Sequence, residues 1–580
     1  MKSTAKHLPL IIVTAVAAIM LLPFLGLTEF TTKGEPREAV VALSMIDGGN
    51  WILPVNNGCD IPYKPPFMHW IIALMALATG HISDYVSRLP SALALIALTV
   101  GCYAFFARRC GRLTALLEAM LTLTSFEVLR SGLNCRVDMV LTACTMGAML
   151  LLFRWRESRS RWAAVWAVLC MSGAVMTKGP VGMVLPCLTM GIFSLLRGDR
   201  LWPTVWRLAM VGLLSCVLPA VWYICAYRQG GQHFLDLVLE ENVGRMTGTM
   251  SYGSHEHAWP YNLLTLITGW LPWTLLMVFS LPVLPWRKLT AALTAVLRRW
   301  PNKSSVWQAL TARLREADAT RMFVWVSFLT VFVFYCLPSS KRSVYLLPCY
   351  PFMAVLMADY MVWLANRHQA PLRAFALFMA MLALILTGVF AAVRMGWVPQ
   401  AMTHGKHAAD NMAMVGALAH IGLWPWRFLL VAMPAVAALC ILLASVQRRW
   451  LSRSALLAFP IVVVLSIFMA VNGVYQPAVM NTQSLRPMAT LLQQRFPTDH
   501  LYSFIAADMM HFFGANYYAD NRIGDFETAH PQQGVLLITD HDRRDFFVRH
   551  ADYRFIPCGN AATTKNEMKQ TVFFYRFARK

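Results

Sequence analysis

Apolar runs long enough to cross a lipid bilayer recur from Leu8 to Val474, and they fix the class of the chain before any motif is weighed. A bilayer core takes roughly 20 apolar residues per helix, which gives about thirteen candidate spans. They cover 8–28, 68–107 (one span plus a re-entrant piece), 113–130, 138–153, 162–177, 181–196, 206–227, 261–281, 322–337, 344–364, 372–393, 424–445 and 455–472. With 57% hydrophobic and only 14% charged residues, the chain exceeds what a soluble globular surface tolerates. It reads as an α-helical polytopic membrane protein.

Basic residues then suggest an orientation, because short connections rich in Lys and Arg stay on the cytoplasmic side. Lys2 and Lys6, Arg108-Arg109 with Arg112, Arg154 to Arg161, Arg197 and Arg200, Arg287 to Arg321, Arg367, and Arg448-Arg449 with Arg453 fall at every second connection if the amino terminus is inside. The segments 31–66, 228–260, 339–343, 398–424 and everything after Asn472 are then expected outside. On this reading the net charge of +22 reflects topology and attraction to anionic headgroups rather than nucleic-acid binding. The first apolar run lacks a clear small-residue cleavage site and is expected to be an uncleaved span.

Residues 474–580 change character, with Asp, Asn, Gln and Arg frequent and apolar residues confined to short blocks. Helical periodicity over 484–496 and 543–550, and strand patterns over 501–506, 534–539 and 571–577, predict a small soluble α/β module beyond a membrane part at 1–473. The thirteen cysteines show no metal-ligand spacing; Cys59 and Cys558, both expected outside, are the one candidate disulfide. Neither a Gly-rich phosphate loop nor a dinucleotide fingerprint is present, which argues against a cytosolic nucleotide as direct substrate.

Between the first two apolar segments, at 29–67, charge and proline crowd together: Gly34-Glu35-Pro36-Arg37-Glu38-Ala39, then Tyr63-Lys64-Pro65-Pro66. In so apolar a chain this predicts a polar site at a membrane surface. Asp138 stands at the outer end of a span, two residues after Arg136. A charge at that depth is costly enough to mark function, the alternative being a structural pair with Arg136.

Short motifs follow one another in a definite order. Glu35-Pro36-Arg37-Glu38-Ala39, Gly49-Asn50-Trp51-Ile52-Leu53-Pro54, Asn57-Gly58, Lys64-Pro65-Pro66, Trp70, Gly80 and Arg88-Leu89-Pro90-Ser91-Ala92 come first. Arg136-Val137-Asp138, Lys178-Gly179-Pro180-Val181-Gly182, His257 with Pro260 and Leu271-Pro272-Trp273, and Ser340 with Tyr345-Leu346-Leu347-Pro348 come after. This series resembles the GT-C polyprenyl-phosphate-sugar-dependent glycosyltransferases, a superfamily that includes protein O-mannosyltransferases and, with a soluble tail, the lipid A aminoarabinose transferases.

The resemblance implies a GT-C fold and a multi-pass enzyme of the bacterial inner membrane. It implies transfer of a sugar from a polyprenyl monophosphate carrier to lipid A or another envelope glycolipid on the periplasmic face. Transfer to protein hydroxyls is the alternative within the class. A lipid or glycan transporter or flippase is the alternative outside it, and would call for midplane charges and repeated halves.

Stabilising the leaving phosphate requires cations, for which the resemblance offers Lys64, Lys178, Lys341 and Arg342; the last two are equally readable as headgroup anchors. Glu35 is the leading candidate for accepting or orienting an acceptor proton, with Asp138 as the second catalytic carboxylate. Relatives commonly have Asp-Glu where this chain has Gly34-Glu35. Arg37 is expected to hold Glu35 ionised or contact the donor, or to pair with Glu38. Tyr345 is placed to reach a phosphate oxygen. His257 is expected to bind the acceptor or the phosphate. A divalent metal shared with His255 is the other option there, although Tyr63 replaces a glutamate that would serve as its partner; no cofactor is expected to be required. Glu118 and Glu127 read as structural.

Overall fold

Helices occupy every apolar stretch, because in hydrocarbon the backbone must satisfy its own hydrogen bonds. The computed structural model describes residues 4–32, 34–244, 247, 256–284, 286, 290–291, 294, 316–399, 404–405, 407–447, 452–507, 510–561 and 570–580. The first helices are α1 (Thr4–Leu21), α2 (Gly34–Gly48), α3 (Phe67–Thr79), α4 (Asp84–Phe106), α5 (Arg112–Leu123), α6 (Phe126–Gly132), α7 (Val137–Ser158), α8 (Arg161–Lys178) and α9 (Val181–Leu196). Among the described residues, seven helices are long and apolar enough to cross a membrane. The number rises to nine if two bent pairs, Leu201–Ser215 with Val217–Gly244 (43°) and Pro260–Gly269 with Trp273–Val283 (99°), each count as one span. The expected count of about thirteen is not reached on this criterion, partly because α3 and α9 are shorter apolar helices.

Helix direction determines which ends meet. Asp84 opens α4, Asp138 lies in the first turn of α7, and Lys178 closes α8. The basic turns gather at the other ends of these helices, where Arg109 pairs with Glu157 at 2.5 Å, Arg156 with Asp199 at 2.7 Å, and Arg321 with Asp359 at 2.9 Å. Most of the cluster from Arg287 to Arg321, together with Arg448 and Arg449, lies outside the described residues.

The charged, proline-rich segment at 29–67 contains α2. Its start has a proline in the first turn, where no backbone N–H is needed, and Glu35 beside the positive end of the helix dipole. Gly48 ends it, and Gly49 turns the chain away at φ +67. Ala39, Val40 and Ala42 pack against Met68, Ile72 and Ala73 of α3 and against Cys135, Val137 and Val140. Tyr517 of the carboxy-terminal module closes the same cluster.

That module is a five-stranded sheet, β1 (Leu501–Phe504), β2 (Ile523–Asp525), β3 (Gln533–Thr539), β4 (Tyr553–Ala561) and β5 (Val572–Arg579), in the order β2-β1-β3-β5-β4. β1 runs parallel to β2 and β3, while β5 is antiparallel to both β3 and β4. The expected strands match β1, β3 and β5. β2 is only three residues long, too short to show alternation, and β4 carries Pro557 and Gly559 at a bulge on the sheet edge, where weak strand formers are tolerated. Tyr518 fixes the module to the membrane part: its hydroxyl accepts from the Phe30 amide at 2.7 Å and donates to Asp84 at 2.9 Å. Arg486 bridges Asp84 at 2.8 Å and Glu29 at 3.2 Å. Cys59 and Cys558 are both free thiols, so the candidate disulfide is not formed.

Two glycines explain the Lys178-Gly179-Pro180-Val181-Gly182 motif. Gly179 leaves α8 at φ +84, a region that L side chains avoid. A β-carbon on Gly182 would stand 2.5 Å from the carbonyl carbon of Ala174 and 2.6 Å from the amide of Val175. The chain can fold α9 back onto α8 directly after Lys178 only because that methyl is missing. Gly182→Ala is therefore expected to destabilise the detergent-solubilised protein by about 1–3 kcal/mol, read as a lower thermal midpoint. Gly101→Ala, where a β-carbon meets nothing within 4 Å, is expected to leave the midpoint unchanged or raise it.

Candidate active site

Glu35 and Glu38 are three residues apart on α2 and so lie on one face, yet each is taken by a different helix. Glu35 receives Nε of Arg88 from α4 at 2.8 Å, Nη2 of the same guanidinium at 3.3 Å and the Cys135 amide at 2.9 Å. Arg88 also donates to the Leu25 carbonyl at 2.8 Å and to that of Thr28, and lies over the Phe30 ring at 4.9 Å. Both partners are buried, at 5% and 2% exposure. Removing one charge of such a pair leaves the other uncompensated, at a cost of about 3–5 kcal/mol. Glu35 is thus committed to Arg88 and a backbone amide instead of facing an open acceptor position.

Glu38 is the carboxylate nearest the loop lysine. It binds Lys64 Nζ through one oxygen and His69 Nε2 through the other at 2.8 Å, with Arg37 Nη2 at 3.6 Å. Burial pushes its carboxyl up, but Lys64, His69 and Arg37 together hold it well below the usual carboxylate range. Arg37 sits at the rim, within electrostatic reach of Tyr63 and Glu241. The plain pair with Glu38 is therefore the contact it makes.

Asp138 pairs with Lys178 across the α7 and α8 ends, and not primarily with Arg136. Lys64 and Arg136 also lie within electrostatic reach of Asp138. Lys178 Nζ stands 4.3 Å above the ring of Tyr345, which brings Tyr345 into the group through its π face. Arg136 lies against Gly34: a β-carbon there would meet Nη2 at 3.0 Å. Its Nε is buried with no hydrogen-bond partner among the described residues. The space beside Gly34 is thus filled by this guanidinium.

Three expected residues stand apart from this cluster. Lys341 is buried and donates to the carbonyls of Pro338 at 2.7 Å and Ser339 at 3.4 Å, closing its own loop. Arg342 is half-buried at the start of the short turn Ser343–Leu346. His257 is exposed, stacked on Tyr261 at 4.0 Å, and its amide donates to Ser339 at 3.4 Å. His255, the other metal candidate, lies outside the described residues. Glu127 pairs with Arg130 at 2.7 Å and accepts from Ser343 at 2.9 Å. Arg88 and His69 were not singled out from the sequence as site residues. The signal was a lone charged or polar side chain inside an otherwise apolar helix.

The sign of the Glu38 effect follows from its depressed value. Its stabilisation is present above the unfolded carboxylate value of about 4.3 and is lost as pH falls through the lower folded value. Glu38→Gln is expected to lower the thermal midpoint at neutral pH, with the gap from the parent narrowing below about pH 4.3. Melting curves at stepped pH decide this; a gap independent of pH contradicts it.

Residues 63–223 match the family model described as dolichyl-phosphate-mannose-protein mannosyltransferase. An uncharacterized protein of Aquifex aeolicus is 27% identical over 341 residues, covering 58% of this chain and 60% of its own length. The undecaprenyl phosphate-alpha-4-amino-4-deoxy-L-arabinose arabinosyl transferase of Pectobacterium atrosepticum is 26% identical over 377 residues, covering 63% and 61%. The matched part thus spans less than two thirds of both relatives. The crystal structure of ArnT from Cupriavidus metallidurans bound to undecaprenyl phosphate aligns over 97% of each chain with a TM-score of 0.68 at 17% identity. Its apo form aligns over 99% of this chain with a TM-score of 0.69 at 16% identity. The chain is a multi-pass membrane protein with the GT-C glycosyltransferase fold, and it resembles the lipid A aminoarabinose transferases.

Proposed function

We propose that this protein is an integral membrane glycosyltransferase that takes a sugar from a polyprenyl monophosphate carrier and places it on lipid A or another envelope glycolipid. The observation that carries the reading is the convergence of Lys64, Lys178 and Arg136, whose Nε has no hydrogen-bond partner among the described residues, around Asp138. The curated relatives named as undecaprenyl-phosphate aminoarabinose transferases support the choice of donor.

The chemistry follows from charge. A sugar joined to a lipid phosphate is a phosphodiester with one negative charge, and its departure leaves a monophosphate that gains a second. Fixed cations at that phosphate therefore bind the transition state better than the ground state. As the phosphate enters, Lys64 exchanges Glu38 for a phosphate oxygen and Lys178 exchanges Asp138. Arg136 binds a third oxygen, and Arg37 guards the rim. The released carboxylates, Glu38 and Asp138, then orient the acceptor or take its proton. An acceptor that is itself a phosphate is already anionic and needs little base.

Glu35 is a positioning residue on this reading, since it acts through Arg88. Tyr345 holds Lys178 by its ring face and offers its hydroxyl to the phosphate. Lys341 and Arg342 shape the loop beside His257, where the acceptor enters. We place the cluster and the module at 474–580 on the periplasmic face of the inner membrane, with residues 1–473 as the membrane part, the catalytic first outer segment at 29–67 and the amino terminus inside.

Turnover of a labelled polyprenyl-phosphate sugar by the purified chain tests the site. Lys64→Ala and Lys178→Ala are each expected to lower kcat at least about a hundredfold, and parental turnover in both would refute it. Mass spectrometry of lipid A, surface glycans and envelope proteins from cells with and without the gene identifies the acceptor. A lost increment on lipid A is expected; loss on protein instead would assign the protein O-glycosyltransferase alternative.

A further inference from the structure

A second constellation lies outside the lysine cluster, at the seam between the first outer segment and the carboxy-terminal module. Cys59 Sγ is 3.8 Å from His511 Nε2 and 3.5 Å from Asp60 Oδ1, and His511 Nε2 is 2.7 Å from Asp60 Oδ2. The ligand-capable atoms of Cys59, His511 and Asp525 all lie within 4.8 Å of one another. His511 is buried, while Cys59 and Asp525 are half-buried. Among the described residues, no Lys or Arg side chain pairs with Asp60 or Asp525. A thiol and two carboxylates therefore surround one imidazole, with no lysine or arginine paired to either carboxylate among the described residues.

The surrounding backbone holds these groups in place. Asn56 and Asp60 close a tight turn by paired backbone hydrogen bonds at 2.7 and 3.0 Å, with Asn57 at φ 52 and Gly58 at φ 76. The turn is docked on the module: the Asp525 amide donates to the Asn57 carbonyl at 2.7 Å, and Asn516 donates to the Asn57 side chain at 2.6 Å. Asp525 is itself fixed by the Thr528 amide at 2.8 Å. Cys59 and Asp60 belong to the first outer segment, and His511 and Asp525 to the module.

We propose that Cys59, Asp60, His511 and Asp525 bind a zinc ion that clamps the first outer segment to the carboxy-terminal module. A thiolate, an imidazole and carboxylates form a donor set suited to zinc in tetrahedral geometry, whereas calcium and magnesium favour oxygen alone. Zinc–sulfur and zinc–nitrogen bonds place those two ligand atoms about 3.5 Å apart across a tetrahedron, close to the 3.8 Å found here. Binding converts the Cys59 thiol to thiolate and releases its proton. Asp60 turns from the histidine to the metal, and the ion replaces a like-charge crowd with a closed shell. Because the turn leads directly into Tyr63 and Lys64, the clamp joins the module to the lysine cluster. It is separate from His257.

Metal content of the full-length chain, purified in detergent without a histidine tag and dialysed against metal-free buffer, tests the proposal. About one zinc per chain is expected by elemental mass spectrometry. Cys59→Ser and His511→Gln are expected to lose it, while Cys558→Ser retains it. Cobalt substitution of the unmutated protein provides a readout independent of variant folding. A thiolate-to-cobalt charge-transfer band in the near ultraviolet is expected, and absent in Cys59→Ser. Equal zinc in the parent and Cys59→Ser, or cobalt bound without that band, would overturn the proposal.

Discussion

The buried fork between Glu35 and Arg88 is the interaction on which the arrangement of the site depends. A carboxylate and a guanidinium taken out of water must each find nearly all their hydrogen bonds inside the protein. Here Glu35 takes two guanidinium nitrogens and an amide, and Arg88 takes two further carbonyls. These bonds tie α2, α4, the end of the α1 region and the entry to α7 at one point. With the phase of α2 set, Glu38 one turn later has to face α3 and the stretch just before it, where His69 and Lys64 meet it.

The resulting cluster holds its charges in reserve. Lys64 on Glu38 and Lys178 on Asp138 are neutral pairs, and Arg136 is a cation with a buried, unmatched nitrogen. Such pairs contribute modestly to stability, because desolvation offsets much of their attraction. They do keep long, flexible side chains oriented toward a common point. Under the proposed function, an incoming anion finds cations already in position, which limits the ordering cost of binding. The carboxy-terminal module bears on the neighbouring Glu35–Arg88 fork, through Tyr518 and Arg486 on Asp84, which lies within electrostatic reach of Arg88.

Much of the fold was legible because hydrophobic length and periodicity are local properties. The helices, the soluble module and three of its strands are apparent without any partner being known. Helix α2 was hidden by its own charges, although a proline and a glutamate in its first turn and the Gly48-Gly49 stop were present. The charged cluster was legible only in part as residues, since Lys341, Arg342 and His257 stand apart from it, and not at all as pairs. Glu35 and Glu38 look equivalent in sequence, and which one receives Arg88 depends on α4, about fifty residues later. Lys341 looked available, yet it folds back on the carbonyls of its own loop. Gly34 stood out only as a departure from the resemblance, and nothing in the local sequence shows that Arg136 lies against it.

The most direct test is a cryo-electron microscopy structure of the full-length chain with a polyprenyl monophosphate bound. The phosphate is expected between Lys64, Lys178 and Arg136, with Lys64 moved off Glu38 and the Glu35–Arg88 fork unchanged. A phosphate bound elsewhere, with Lys64 still on Glu38 and Lys178 still on Asp138, would contradict that expectation.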